Sequence, residues 1–193
     1  MPQDAAAPEK TYLTDYVFVP ELFTPEECLE IIYADIPATQ AQVVRFVSKS
    51  SHELELEQRN TKVKAMPQLI KYRWIYERVT QKVNELNRDF YRFDLKELTD
   101  FQILEYENTG FYNTHVDIGT GDTSVRKLSM VLFLTDPSEY GGGELILKPN
   151  YPPFERTQGC AVFFPAYIPH EIRPVTWGLR HTMVTWVLGP CFK

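Results

Sequence analysis

The feature that most constrains this chain is a change of hydrophobic period near residue 99. Before it, apolar residues recur at helical spacing in two stretches. After it, they alternate or form short unbroken runs. Successive side chains of a strand point to opposite faces, so a period of two marks a sheet. The candidate strands are "TDFQILEYE" (99–107), "RKLSMVLFLT" (126–135), "GELILKP" (143–149), "GCAVFFP" (159–165), "IPHEIRPV" (168–175) and "RHTMVTWVL" (180–188). Turn signals "ENTG", "DPSEYGGG", "PNYPPFERTQG" and "TWG" separate them. Strands with no intervening helix predict an antiparallel sandwich or barrel of the jelly-roll, cupin-like kind. Helices before the strands make the class α+β.

Upstream, "TPEECLEIIYADI" opens with an N-cap at Thr24, a proline at the first turn and a capping box closed by Glu27. Its apolar residues Cys28, Ile31, Ile32 and Ile36 share a helical face. "AQVVRFV" (41–47) predicts a strand at the rim. The polar stretch 48–67 predicts a long loop of the lid or binding type. "PQLIKYRWIYERVTQKVNELNRDF" predicts a helix with Leu69, Tyr72, Ile75, Val79 and Val83 on one face. The expected organisation is a flexible tail at 1–10 and one domain at 11–193, with a helical flank at 11–98 and a jelly-roll core at 99–190.

At 193 residues the chain is long enough to bury a substantial core. Its net charge of −6 argues against a nucleic-acid partner, which needs a dense field of Lys and Arg. Three cysteines, Cys28, Cys160 and Cys191, lie far apart without a CxxC pattern. Neither a disulfide framework nor structural zinc is expected, and a reducing cytoplasm suits free thiols. "MPQDAAAPEK" lacks the features of a secretory signal. No stretch approaches the ~20 apolar residues of a membrane span.

The chemistry centres on "FYNTHVDIG" (111–119), which sets His115 and Asp117 two apart. With 4 histidines and 26 acidic residues, about half a His-x-acid pair is expected by chance. The pair therefore needs support from elsewhere in the chain. In extended backbone the two side chains face one point. His170, 53 residues after Asp117, lies near the start of a candidate strand that a barrel can bring opposite the pair. Two imidazoles and a carboxylate on one face of an octahedron suit a non-haem ferrous ion and leave positions open. His52 and His181 have no carboxylate two residues on and are read as non-ligands. Ten residues past His170, Arg180 shares a strand face with Thr182, Val184 and Trp186. An inward guanidinium needs an anion, either an internal carboxylate or a dicarboxylate ligand. Tyr106 and Tyr112 lie close enough in sequence to donate to such an anion.

The ordered set "YENTGFYNTHVD", "RKLSMVLFLTD", "EYGGGELIL" and "GCAVFFPAYIPHEIRPVTWGLRHTMVTWV" resembles the prolyl 4-hydroxylase-like branch of the Fe(II)/2-oxoglutarate-dependent dioxygenases. The resemblance covers about residues 99–190. It implies a double-stranded β-helix core flanked by N-terminal helices. It implies His115, Asp117 and His170 as iron ligands, and Arg180, assisted by Tyr106, as the partner of the far carboxylate of 2-oxoglutarate. Arg180 departs from the lysine that many prolyl hydroxylases carry there. Asp117 resembles the hydroxylases and not their halogenating relatives. The implied reaction uses Fe(II), 2-oxoglutarate and O2, hydroxylates an unactivated C–H bond, and releases succinate and CO2.

The substrate implied is an amino acid, a peptidyl residue such as proline, or a small natural product. Arg59, Arg126 and Trp177, with Asn60, are candidate contacts. Arg59 is the first choice for a substrate carboxylate. A cupin-type metal enzyme or binding module without O2 chemistry is the rival reading.

Overall fold

The structure, a computed structural model, describes residues 13–41, 58–147 and 156–191. The capping signal at Thr24 forms as its sequence dictates. Thr24 Oγ1 accepts from the Glu27 amide, and the Glu27 carboxylate accepts from the Thr24 amide. That box opens α1 (Pro25–Ile32), which buries Cys28, Ile31 and Ile32. A 3-10 turn at Ile70–Tyr72 leads into α2 (Arg73–Leu86), and a π turn at Asn87–Tyr91 ends it. Ile75, Tyr76, Val79, Val83 and Leu86 form the buried stripe of α2. Leu69, placed on that face by its spacing, is half exposed because its backbone is still extended before the first turn.

The strands are β1 (Val17–Val19), β2 (Thr39–Gln40), β3 (Arg59–Asn60), β4 (Lys62–Met66), β5 (Phe101–Tyr106), β6 (Phe111–His115), β7 (Arg126–Phe133), β8 (Tyr140–Gly142), β9 (Leu145–Leu147), β10 (Ala161–Pro165), β11 (His170–Ile172), β12 (Val175–Gly178) and β13 (Arg180–Leu188). They form a seven-stranded sheet in the order β1-β10-β7-β13-β5-β4-β2, a four-stranded sheet β3-β6-β11-β9, and the pair β12-β8. The pairings are antiparallel.

Alternation on the large sheet sorts two cores. Phe101, Ile103, Leu128, Met130, Leu132, Phe163 and Met183 face the helices. Leu104, Tyr106, Val131, Phe133, Val162, Phe164 and Val184 face inward, toward Leu145, Leu147 and Ile172 of the small sheet. The interior strand β7 is covered on both sides, which is why "KLSMVLF" reads as a nearly unbroken apolar run.

Several expectations need correction. The segment 11–98 is not a purely helical flank, since β1, β2 and β4 extend the large sheet and β3 the small one. The polar "loop" at 48–67 contains β3 and β4. Their polar residues conceal the pattern: Lys62 pairs with Glu105 and Glu107, Lys64 donates to the Ile32 carbonyl, and Thr61 donates to the Glu105 carbonyl. Of the strand expected at 41–47, residues 42–47 lie outside the described residues, as do the tail at 1–10 and His52. "TWG" and the glycines of "EYGGG" are not plain turns, because Val175–Gly178 pairs with Tyr140–Gly142. Gly142 and Gly178 have φ of +71° and +75°, a glycine signature that serves here in a bulged ladder.

Candidate metal centre and cavity

His115 ends β6 and His170 begins β11, and the two are direct partners in the ladder. Their ring centroids are 4.2 Å apart. Asp117 lies beyond the strand, where the chain bends. Its position therefore comes from an anchor outside β6 and not from strand alternation. The amides of Asp117 and Ile118 both donate to the Ala166 carbonyl, at 2.9 and 3.1 Å. The Asp117 carboxylate then stands 3.7 Å from His115 Nε2 and 3.6 Å from His170 Nε2. One donor atom from each residue lies within 4.8 Å of the others.

The ring nitrogens on the far sides are committed. His115 Nδ1 donates to the Asn113 carbonyl at 2.8 Å, and His170 Nδ1 to the Ile168 carbonyl at 3.0 Å. A carbonyl can only accept, so each Nδ1 carries the proton and each Nε2 offers a lone pair. Ser129 Oγ donates to Asp117 Oδ2 at 2.6 Å, and the Trp186 side chain also hydrogen-bonds the carboxylate. Burial opposes the Asp117 charge, yet the two histidines and these hydrogen bonds outweigh it and lower its pKa. Burial, with His170 adding to it, pushes the His115 pKa down to about 4. Two neutral imidazoles, a carboxylate and orienting second partners fit a divalent metal of the iron type.

The centre lines a cavity of about 720 Å³ between the sheets, shared with Tyr106, Tyr112, Arg59 and Arg126. Arg126 donates to the Asp117 carbonyl at 3.2 Å and its guanidinium lies 3.6 Å from the Trp186 ring centroid. Trp177 is not among the lining residues. It sits on β12, 54% exposed, against Gly141, and not on the cavity wall where the sequence reading expected a substrate contact. Asn60, paired with Phe111, is also absent from the lining. His181 hydrogen-bonds with Thr135 and faces Glu105.

Arg180 is fully buried and lies behind the cavity wall, directly opposite Tyr106 in the ladder. The Tyr106 and Phe133 rings flank its guanidinium at 5.1 and 5.6 Å. Gly143 packs against its stem, where a Cβ would come within 2.6 Å of Arg180 Cδ. None of its three side-chain nitrogens has a well-formed hydrogen bond, and among the described residues no carboxylate pairs with it. Burial lowers its pKa, while the nearby Tyr140 and Tyr106 hydroxyls favour the charge without the alignment of a proper hydrogen bond. An internal acidic partner for Arg180, one of the two readings of the sequence, is thus not found among the described residues.

Sequence reasoning missed Ser129 and the polar role of Trp186. Ser129 is the one hydroxyl within the apolar run of β7, and it lies opposite Trp186 in the ladder. A lone serine at an inward position of a buried strand was the available signal.

Residues 101–188 match the model of the 2OG-Fe(II) oxygenase superfamily. This segment, a little under half of the chain, holds His115, Asp117, His170 and Arg180, and is similar to a superfamily whose members use Fe(II), 2-oxoglutarate and O2. Among curated proteins, the chain is 34% identical over 97 residues to a PKHD-type hydroxylase of Colwellia psychrerythraea, covering 48% of this chain and 44% of that protein. It is 40% identical over 90 residues to a PKHD-type hydroxylase of Cupriavidus metallidurans, covering 42% and 40%. The chain thus spans less than half the length of these relatives. A prolyl 4-hydroxylase of Pseudomonas putida has the same fold at a TM-score of 0.67 and 17% identity, over 92% of this chain and 94% of that one. A Trichoplax adhaerens prolyl hydroxylase, solved with a hypoxia-inducible-factor peptide, superposes at 0.69 with 14% identity, over 90% and 83%. The architecture is mostly sheet with few helices, as in those oxygenases.

Proposed function

We propose that this chain is an Fe(II)- and 2-oxoglutarate-dependent hydroxylase. It acts on an unactivated C–H bond of an amino acid, a peptidyl residue or a small natural product and releases succinate and CO2. The observation that carries the reading is the convergence of His115, Asp117 and His170, with both Nε2 lone pairs free. When bound, the ferrous ion and 2-oxoglutarate together supply the activation of O2. The protein's own work is positional. Ser129 and Trp186 hold the Asp117 carboxylate, and the carbonyls of Asn113 and Ile168 hold the imidazoles. Arg180 takes the far carboxylate of 2-oxoglutarate, with Tyr106 beside it. Tyr112, stacked on His115 with centroids 3.5 Å apart, shields the imidazole from water. Arg59 and Arg126 face the substrate side of the cavity.

The rival reading, a cupin-like module without O2 chemistry, has no use for an uncompensated buried guanidinium at residue 180. The three free cysteines are consistent with work in the cytoplasm. Among the described residues no helix is long and apolar enough to cross a membrane.

Anaerobic titration with Fe(II) and 2-oxoglutarate tests the reading. A weak visible charge-transfer band and substrate-independent succinate formation are expected. Absence of both refutes it.

A further inference from the structure

We infer that the substrate is a small molecule carrying a carboxylate, held by Arg59 beside the Tyr112 ring that stacks on the metal-facing His115. The inference rests on the hydroxylase reading and narrows its substrate class.

Arg59 stands on β3, directly opposite Tyr112 in the ladder, and is 9% exposed. Its side chain lines the cavity, and its Nε is buried without a hydrogen-bond partner. Its guanidinium lies 4.7 Å from the centre of the Tyr112 ring. The same ring is stacked on His115 at an interplanar angle of 16°. One phenol ring therefore spans the distance from a buried cation to a metal-facing imidazole.

The charges around the cavity point the same way. Among the described lining residues the cations are Arg59 and Arg126, and the sole carboxylate is Asp117, which is committed to the histidines and Ser129. Arg126 is occupied by the Asp117 carbonyl and the Trp186 ring. No carboxylate among the described residues pairs with Arg59. The buried, unpartnered Nε leaves a charged donor facing the cavity, which an anion arriving with a ligand can take. Arg180 meets the tail of 2-oxoglutarate, which leaves Arg59 for the substrate. A single planar fork calls for a single planar anion, and a carboxylate matches it in two-pronged fashion. The short span across Tyr112 requires the carboxylate and the reacting C–H to belong to one small molecule, such as a free amino acid. A peptidyl proline blocked at both ends brings no charge to Arg59.

The test uses the full chain with Fe(II) and 2-oxoglutarate. The probes are the common L-amino acids as free acids, the same compounds as primary amides, and a proline peptide blocked at both ends. Succinate release and the thermal midpoint of the Mn(II)/2-oxoglutarate form are both read. At least one free acid should raise both, and its amide should require at least about 10-fold higher concentration, the scale of one lost charged hydrogen bond. Arg59→Gln should abolish that preference for acid over amide, and Arg59→Lys should restore part of it. Equal effects of acid and amide overturn the inference. So does stimulation by the blocked peptide alone, or no response to any free acid. Succinate formation without any probe separates the two failures. Its presence with no acid response sinks only the carboxylate. Absence of succinate with and without every probe, together with absence of the charge-transfer band, sinks the hydroxylase reading, while an acid-selective thermal shift still speaks for Arg59.

Discussion

Arg180 is the residue whose surroundings make the sharpest demands. Its guanidinium is sealed among Tyr106, Phe133 and Gly143, and no carboxylate among the described residues lies beside it. In the absence of 2-oxoglutarate it is a cost to the fold; replacing even a paired buried ion with apolar side chains of similar volume is often neutral or gains about 1–4 kcal/mol, and Arg180 has no pair among the described residues to lose. Arg180→Met should therefore melt higher than the parent chain without 2-oxoglutarate, and lose that advantage when the parent is saturated with it. Paired thermal melts check this. The same position should set the co-substrate requirement: Arg180→Ala is expected to raise the 2-oxoglutarate KM by at least about 10-fold while sparing metal binding. His115→Ala or His170→Ala should instead abolish Fe(II) binding, read by equilibrium dialysis, since two ligands make a poor site.

His181, one residue on, faces the other way. Burial lowers its pKa, against the pull of Glu105. The unfolded chain takes up a proton near pH 6.5 that the folded chain resists, so stability should fall as pH drops from about 6.5 toward 5. Urea unfolding of His181→Gln should show a shallower fall over that window. The thiols separate by burial: Cys28, pushed up to about 12, and the buried Cys160 should resist alkylation at pH 8, whereas the exposed Cys191 should react. Mass spectrometry of the labelled chain gives the count.

At the scale of elements, glycines decide where strands meet. Gly159 has φ of +80°, and a Cβ there would lie 1.9 Å from the Phe23 carbonyl oxygen. The Phe23 amide in turn donates to the Gly159 carbonyl at 3.1 Å, which ties the start of α1 to the entry of β10. Gly159→Ala should cost several kcal/mol, on the order of 3 or more, by combining a left-handed strain with a backbone clash. Chemical denaturation measures it. The strands with buried faces were legible: β13 has the expected bounds, and β5, β7 and β10 fall within theirs. The elements that escaped have lateral and not apolar reasons to exist. Strand β4 is held by β5 and by lysines reaching Glu105, Glu107 and the Ile32 carbonyl. A hydrophobic period cannot report a strand whose partners are polar. Strand β12 carries the same lesson, because its glycine reads as a turn until a partner at Tyr140–Gly142 is known.

Across the whole molecule, the helices close one face of the large sheet and leave the other to the small sheet, so the cavity opens between two layers. The metal residues draw on that arrangement. His115 and His170 come from neighbouring strands of the small sheet, while the groups that aim Asp117 come from β7 and β13 of the large one. The sequence by itself determined the residue types, the strand alternation that points Arg180, Thr182, Val184 and Trp186 inward, and the order in which the metal candidates occur. Those properties are local, since they follow from side-chain chemistry and a two-residue repeat. Only the tertiary structure decided that Asp117 is aimed by the Ala166 carbonyl, that Arg59 lies within one tyrosine ring of His115 while Trp177 lies outside the cavity, and that Arg180 has no acid beside it among the described residues. Those depend on which strands become neighbours, and pairing between distant segments leaves no mark in either segment alone.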